Sequence, residues 1–398
     1  MPEIFEIVEG RQSEQAVIRV IGVGGGGGNT VNQMVEAGIE GVEFICANTD
    51  RQHLERCKTD TILQIGGNIT RGLGAGCDPA KGREAALEDK DRIRELIEGT
   101  DMLFITAGMG GGTGTGAAPV IAEVAREMDI LTVAVVTKPF TFEGKKRAAA
   151  AVNGIEQLQK CADSLILIPN DKLQAVMGPK ATMKDAFKAA NDVLQNAVQG
   201  IADLITRPGY VNLDFADINN VMRSRGKAMM GMGMASGDKR ASEAVEMALS
   251  SPLLDDLELS NASGLLVNIT CDDSLEMGEI SEIMERVNEI ASAEVDTKFG
   301  TSLDMSLEGE IRVTVVATGL GAAVAAAQVP SHHGHADQGV VVPLAPRVAP
   351  TGEARTQDME KPAYARRKVA NGGAEMMGGG FGEDEILNIP AFLRNQAD

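Results

Sequence analysis

Between residues 16 and 170, short apolar runs rich in β-branched residues alternate with stretches of helical period. Segments 17–23, 42–47, 102–107, 131–136 and 164–168 have strand length and are apolar almost without interruption. Strands of that kind are buried on both faces, so the rhythm predicts a parallel sheet wrapped by helices. Helices are predicted over 30–37 and 117–128. A further one opens at Asp78-Pro79, an N-cap followed by proline at the first helical position, and closes at Gly99 about six turns later.

Residues 181–206 contain no proline and place Phe187, Ala190, Val193, Leu194, Ala197, Val198, Ile201, Leu204 and Ile205 at the period of one long helix, stopped by Pro208-Gly209. A short helix over 215–222 follows, then a smaller α/β unit: a helix near 238–250, a strand over 265–270, a helix over 275–291 and a strand over 310–317. The fold class predicted is α/β, with a parallel-sheet domain, a long central helix and a second, smaller α/β domain. The boundaries fall at 1–15 (flexible N-terminus), 16–180 (nucleotide-binding domain), 181–227 (central helix and the loop after it), 228–320 (second domain), 321–382 (linker) and 383–398 (docking peptide). The linker is rich in Ala, Gly and Pro and poor in large apolar residues, too polar to bury itself. As a coil of about 60 residues it reaches roughly 40 Å. Beyond it, Ile386, Leu387, Ile389, Phe392 and Leu393 around Pro390 form an apolar tip suited to a partner's groove.

Composition narrows the class. The 398 residues carry a net charge of −20, and no segment concentrates Lys and Arg with aromatics, so no nucleic-acid partner is expected. Neither a secretory leader nor an apolar run of ~18 to 20 residues is present, which predicts a cytosolic chain with no direct membrane insertion. The five cysteines are scattered without a Cys-x-x-Cys spacing and read as idle thiols of a reducing compartment. His332, His333 and His335 cluster in the linker, and no role is assigned to them.

Glycine carries the chemistry. Residues 110–116 read Gly-Gly-Gly-Thr-Gly-Thr-Gly between a strand and a helix, and 24–29 form a second such loop. Loops stripped of side chains let backbone N–H groups converge on an anion, and the helix behind each adds its positive dipole end. Two cradles suit a polyphosphate. A third turn, 72–76, precedes the Asp78 helix and is placed to close on a terminal phosphate. The Gly-x-Gly-x-x-Gly pattern at 22–27, with Asp50 after the next strand as a ribose acceptor, offers a rival reading as a nicotinamide-dependent oxidoreductase. The second glycine loop has no duty in that reading. Gly-Lys-Ser/Thr is missing from both loops, so charge neutralisation falls to backbone dipoles, a metal ion and Arg147.

Asn170, Asp171 and Asp192 are candidates for reading a base, because a carboxylate accepts from the N1–H and 2-amino groups of guanine. Asn212, Asp214 and Asp217, spaced Asn-x-Asp-x-x-Asp, either cap a helix or orient a water for attack on phosphorus. The long helix carries them roughly 35 Å from a pocket at its start. They reach a neighbour's nucleotide if subunits stack head to tail, a contact that does not close and so makes a filament. A nucleotide-gated scaffold without turnover is the non-enzymatic alternative.

Taken together, these motifs resemble the bacterial tubulin homologues of the FtsZ family, GTPases of the cell-division ring. Residues 110–116 are similar to the tubulin signature, 212–217 to the family's synergy loop, and 389–394, Ile389-Pro390-Ala391-Phe392-Leu393-Arg394, to its C-terminal tail. The resemblance implies that Gly25, Gly26, Gly27, Gly28, Asn29, Gly112, Thr113 and Gly114 hold phosphates, with Ala75 and Gly76 near the γ-phosphate. It implies Glu143 and Arg147 at the ribose and phosphates, and Asn170, Phe187 and Asp192 around guanine, with Phe187 stacked on it. Asn212, Asp214 and Asp217 would complete catalysis in trans, and Mg²⁺ would sit at the phosphates of GTP or GDP, with no side-chain ligand assigned to it. It further implies self-assembly into a homopolymer at a midcell ring, and docking of the actin-like membrane tether FtsA and other division proteins through Ile389, Pro390, Phe392, Leu393 and Arg394.

Overall fold

The computed structural model describes residues 16–320 apart from 179, 225, 255–261 and 292–294. The N-terminus, the linker with its histidines and the docking peptide therefore lie outside the described residues.

In chain order the elements are β1 (Ile18–Val23), α1 (Gly24–Glu36), β2 (Glu43–Asn48), α2 (Arg51–Leu54), β3 (Thr61–Gln64), α3 (Gly67–Thr70), α4 (Pro79–Glu88), α5 (Lys90–Ile97), β4 (Met102–Gly108), α6 (Thr113–Glu127), β5 (Leu131–Lys138), α7 (Lys145–Cys161), β6 (Ser164–Pro169) and α8 (Asn170–Met177). They continue with α9 (Met183–Thr206), α10 (Phe215–Met222), β7 (Gly226–Ser236), α11 (Arg240–Leu249), β8 (Gly264–Cys271), α12 (Met277–Ile290), β9 (Asp296–Leu303) and β10 (Glu310–Leu320).

The strands form one sheet in the order β3-β2-β1-β4-β5-β6-β7-β10-β8-β9. All pairs are parallel except β10 with β7 and with β8. The predicted strands run continuously apolar because both faces of the sheet are covered. In β4, Met102 and Phe104 enter the core shared with α1 and α9, whereas Leu103, Ile105 and Ala107 enter the core beneath α6 and α7. A third core joins α11, α12, β8 and β10. The joint between the amino-terminal strands and the rest is narrow: β6 meets β7 over Ser164–Gly226, Leu165–Lys227 and Ile166–Ala228 alone.

Several boundaries differ from expectation, each for a physical reason. Helix α1 starts at Gly24 and α6 at Thr113, so the glycine runs are first helical turns as much as loops. The single helix expected to end at Gly99 is two, broken at Asp89, whose carboxylate accepts from the Gly66 amide at 2.7 Å and Arg92 at 2.9 Å. Strand β7 was not predicted: Gly-Lys-Ala-Met-Met-Gly-Met-Gly-Met-Ala-Ser has no β-branched residue. Tertiary packing imposes it, since β10 pairs along its length and Gly231 and Gly233 let α11 approach within 2.0 Å of where a Cβ would stand. Strands β3 and β9 were missed as well, being the polar outer strands of the sheet.

Candidate functional site

The strand order 3-2-1-4-5-6 reverses direction between β1 and β4, and at such a switch point the connections leave the two strands toward opposite faces. A cavity of about 500 Å³ opens there, at the carboxyl ends of the strands. Val23, Asn48, Gly108, Thr137 and Asn170 line it from the ends of β1, β2, β4, β5 and β6.

Two helices begin at its wall, α1 after β1 and α6 after β4. Neither has a side-chain cap nor an acidic residue in its first turn, whereas Asp50, Asp78 and Thr182 cap α2, α4 and α9. The free N–H groups and positive dipole ends of α1 and α6 therefore remain available to an anion. The two starts touch: Gly24 has φ +73°, and a Cβ there would stand 2.9 Å from the Gly114 nitrogen. The turn at 72–76 is tied to this cradle, because the Gly112 amide donates to the Gly76 carbonyl at 2.9 Å. Side-chain hydroxyls lock the second loop. Thr113 and Thr49 share a buried hydrogen bond of 2.6 Å, and Thr115 Oγ1 accepts from the Gly110 amide at 2.8 Å.

At the other end the cavity carries an aromatic ring and an ion pair. Phe187 is 42% exposed and meets Phe140 edge-on at 5.5 Å, leaving one face open. Asn170 is only 4% exposed, and its buried Oδ1 has no hydrogen-bond partner. Glu143 is engaged twice, by Arg147 at 2.6 Å and by the Phe140 amide at 2.9 Å.

Gly25, Gly26, Asn29, Ala75, Gly76, Gly112, Thr113, Gly114, Glu143, Arg147, Asn170 and Phe187 all line the cavity. Gly27, Gly28 and Asp192 are outside its lining. Gly27 is buried where a Cβ would strike the Thr106 carbonyl at 2.3 Å, so it lets α1 lie against the sheet. Asp192 accepts from Gln33 and faces Lys188 at 3.8 Å. Its neighbour Asn191 lines the cavity instead, with Ala190 and Leu194. Spacing held the signal for this: 190, 191 and 194 share a helical face with Phe187, and 192 does not. Asp171 holds the Thr141 amide and hydroxyl at 2.9 and 2.7 Å. Asp50 spends its carboxylate on the Gln52 and His53 amides as a cap, which weakens it as a ribose acceptor. Asn48, His53 and Thr137 were not foreseen in the lining. Asn48 and Thr137 lie at the carboxyl ends of β2 and β5 and His53 on α2 just beyond β2, positions that only the fold marks.

Asn212, Asp214 and Asp217 do not line this cavity. Helix α9 leaves the cavity at Leu194 and runs on for a dozen residues, about 18 Å. Its last residue, Thr206, reaches Gly41 just before the amino end of β2, whose carboxyl end lines the cavity. The loop after it is fixed on β9 by the Thr301 amide to Val211 at 2.9 Å and the Leu303 amide to Pro208 at 3.0 Å. There Asn212 Oδ1 accepts from the Gly209 amide at 2.9 Å, and Asp214 is exposed without capping its helix. Asp217 pairs with Lys298 at 3.3 Å and holds that ammonium above its ordinary range.

Among the described residues no three His, Cys, Asp or Glu side chains come together to hold a metal ion. The cradle instead offers backbone amides and threonine hydroxyls. Amide N–H groups bind phosphate oxygens and not a cation, so a Mg²⁺ ion here would be carried mainly by phosphate oxygens and water. Nor is any described helix long and apolar enough to cross a membrane.

Residues 17–178 match the GTPase domain of the tubulin/FtsZ family, and residues 226–321 match the C-terminal domain of the FtsZ family. The cell division protein FtsZ of Coxiella burnetii is 52% identical over 98% of this chain and 99% of its own length. That of Pseudomonas aeruginosa is 50% identical over 99% of this chain and all of its own. Among solved structures, the empty FtsZ dimer of M. jannaschii superposes with a TM-score of 0.74 at 45% identity, over 77% of this chain and 89% of that one. The chain thus belongs to the FtsZ family of tubulin-like cell-division GTPases.

Proposed function

We propose that this GTPase polymerises head to tail on binding GTP, and that each active site is completed by the next subunit. In this reading the uncapped starts of α1 and α6 hold the phosphates through Gly25, Gly26, Asn29, Gly112, Thr113 and Gly114, with Ala75 and Gly76 at the γ-phosphate. Gly27 and Gly28 shape that cradle from beneath. Glu143 and Arg147 meet the ribose and phosphates, Phe187 stacks on guanine, and Asn170 reads it from its buried oxygen. Asp192 joins the base on release from Gln33. Mg²⁺ supplies charge neutralisation at the phosphates.

The observation that carries the proposal is polarity: the cavity lies at the carboxyl ends of β1, β2, β4, β5 and β6, whereas α9, which leads to Asn212, Asp214 and Asp217, ends against Gly41, just before the amino end of β2. Stacking the acidic end of one subunit on the cavity of another brings carboxylates and an amide to the water that attacks the γ-phosphorus. Phosphate loss then weakens the contact that allowed it. Residues 16–180 and 228–320 act as two domains coupled by the helix within 181–227. Ile389, Pro390, Phe392, Leu393 and Arg394 of the peptide 383–398, joined to the domains through the linker 321–382, dock FtsA and other division proteins. That tether brings an acidic cytoplasmic protein to the membrane at midcell.

Complementation tests the shared site. Asp217→Ala subunits lack the acidic half and Gly112→Ala subunits the cradle, where a Cβ would stand 2.5 Å from the Gly76 carbonyl. Each alone should be inactive. An equal mixture should recover up to about a quarter of the wild-type rate, the fraction of junctions joining two sound halves. Mixed filaments that form without any recovery would contradict the proposal.

A further inference from the structure

His53 sits on α2, whose start is held by Asp50, and its ring lies over the first turns of α1. Its Nε2 is 3.2 Å from Asn29 Oδ1, and its Nδ1 is buried with no hydrogen-bond partner. Both His53 and Asn29 line the nucleotide cavity. We infer that His53 is a positioning residue: it fixes the Asn29 amide with the oxygen toward the ring and the NH₂ toward the nucleotide.

The buried Nδ1 decides between the two tautomers. With the proton on Nε2, the ring donates to Asn29 Oδ1 and leaves only a lone pair unsatisfied at Nδ1. With the proton on Nδ1, a buried N–H has no acceptor, the costlier defect. The same choice settles Asn29, whose two amide orientations are otherwise nearly isosteric. Its cavity-facing end is then a pure donor beside the donor amides of α1. That end accepts an oxygen of the ligand, phosphate or carbonyl, and rejects a donor.

Gly28 gains a reason of its own. It is buried outside the cavity lining, and a Cβ there would stand 2.8 Å from His53 Cε1. Glycine at 28 seats the imidazole close enough to reach Asn29. The inference rests on the reading of this cavity as the guanine-nucleotide site.

Binding of a fluorescent GDP to the full-length chain tests the role, and the ¹⁵N spectrum of histidine-labelled protein tests the tautomer independently. His53→Ala should weaken binding about fivefold, the worth of one oriented hydrogen bond, with the unfolding midpoint of the nucleotide-free protein nearly unchanged. His53→Gln, which keeps a donor at the Nε2 position, should restore affinity to within about twofold of wild type. Gly28→Ala should weaken binding by displacing the ring, and should add nothing to His53→Ala. The His53 signals, assigned by their loss in His53→Gln, should show the proton on Nε2. Wild-type binding with an equal His53→Ala affinity, or a proton on Nδ1, overturns the positioning role and leaves the nucleotide site intact. A wild-type chain that binds no guanine nucleotide overturns the site reading and, with it, the role assigned to His53.

Discussion

Asn170 keeps a buried oxygen without a partner, which the proposed function explains as an acceptor held for the guanine base. That Oδ1 contributes nothing to the ligand-free fold. Asn170→Ala should therefore leave the unfolding midpoint of nucleotide-free protein almost unchanged. The same variant should lose about tenfold in guanine-nucleotide affinity, measured by fluorescence titration. Unchanged affinity would show that the buried oxygen meets no part of the nucleotide. At this scale the sequence told residue types better than their directions. The glycine runs announce an anion site without any register, but Asp192 and Asn191 differ only in where a helix points them. Asp50 and Asp171 are acids at plausible positions that the fold uses for backbone amides, and no pattern in the chain separates that use from ligand binding.

Among the elements, α9 carries the tension. Asp203, near its carboxyl end, is 2% exposed, with Arg207 at 3.2 Å. Burial outweighs the Arg207 and Arg312 charges and pushes its carboxyl up to about 6. The folded state therefore keeps that proton at pH values where an unfolded chain, titrating near 4, has released it. Folded protein binds the more protons between those values, so this group's contribution to stability falls as pH rises through the window, by about 3 kcal/mol in all. Asp203→Asn should gain on wild type in urea midpoint as pH rises from about 4 to about 6, the gain levelling off above the folded-state value. A difference independent of pH would show that Asp203 does not titrate in that range. The long helix itself was plain from its spacing, because its apolar stripe meets one core. Strand β7 was not, since its eleven residues pair only because β10 and α11 hold them. Helix starts shifted for a related reason: glycine propensity argues against helix, and the packing of α1 and α6 on the sheet overrides it.

Across the whole molecule, the alternation of strands and helices was enough to predict the parallel sheet, and the family confirms the class. The continuation of that sheet through β7, β10, β8 and β9 was not visible, because it depends on the three residue pairs between β6 and β7. The consequence of the architecture is directional. The cavity and the acidic loop are separated by about half the length of α9, so in the proposed function each subunit presents half of a reaction at either end. The GTPase rate per molecule against total protein concentration measures this most directly. A site shared between subunits predicts negligible turnover below a threshold concentration and a rising rate per molecule above it, in step with filament formation. A rate per molecule that stays constant down to dilutions at which only monomers exist would contradict it.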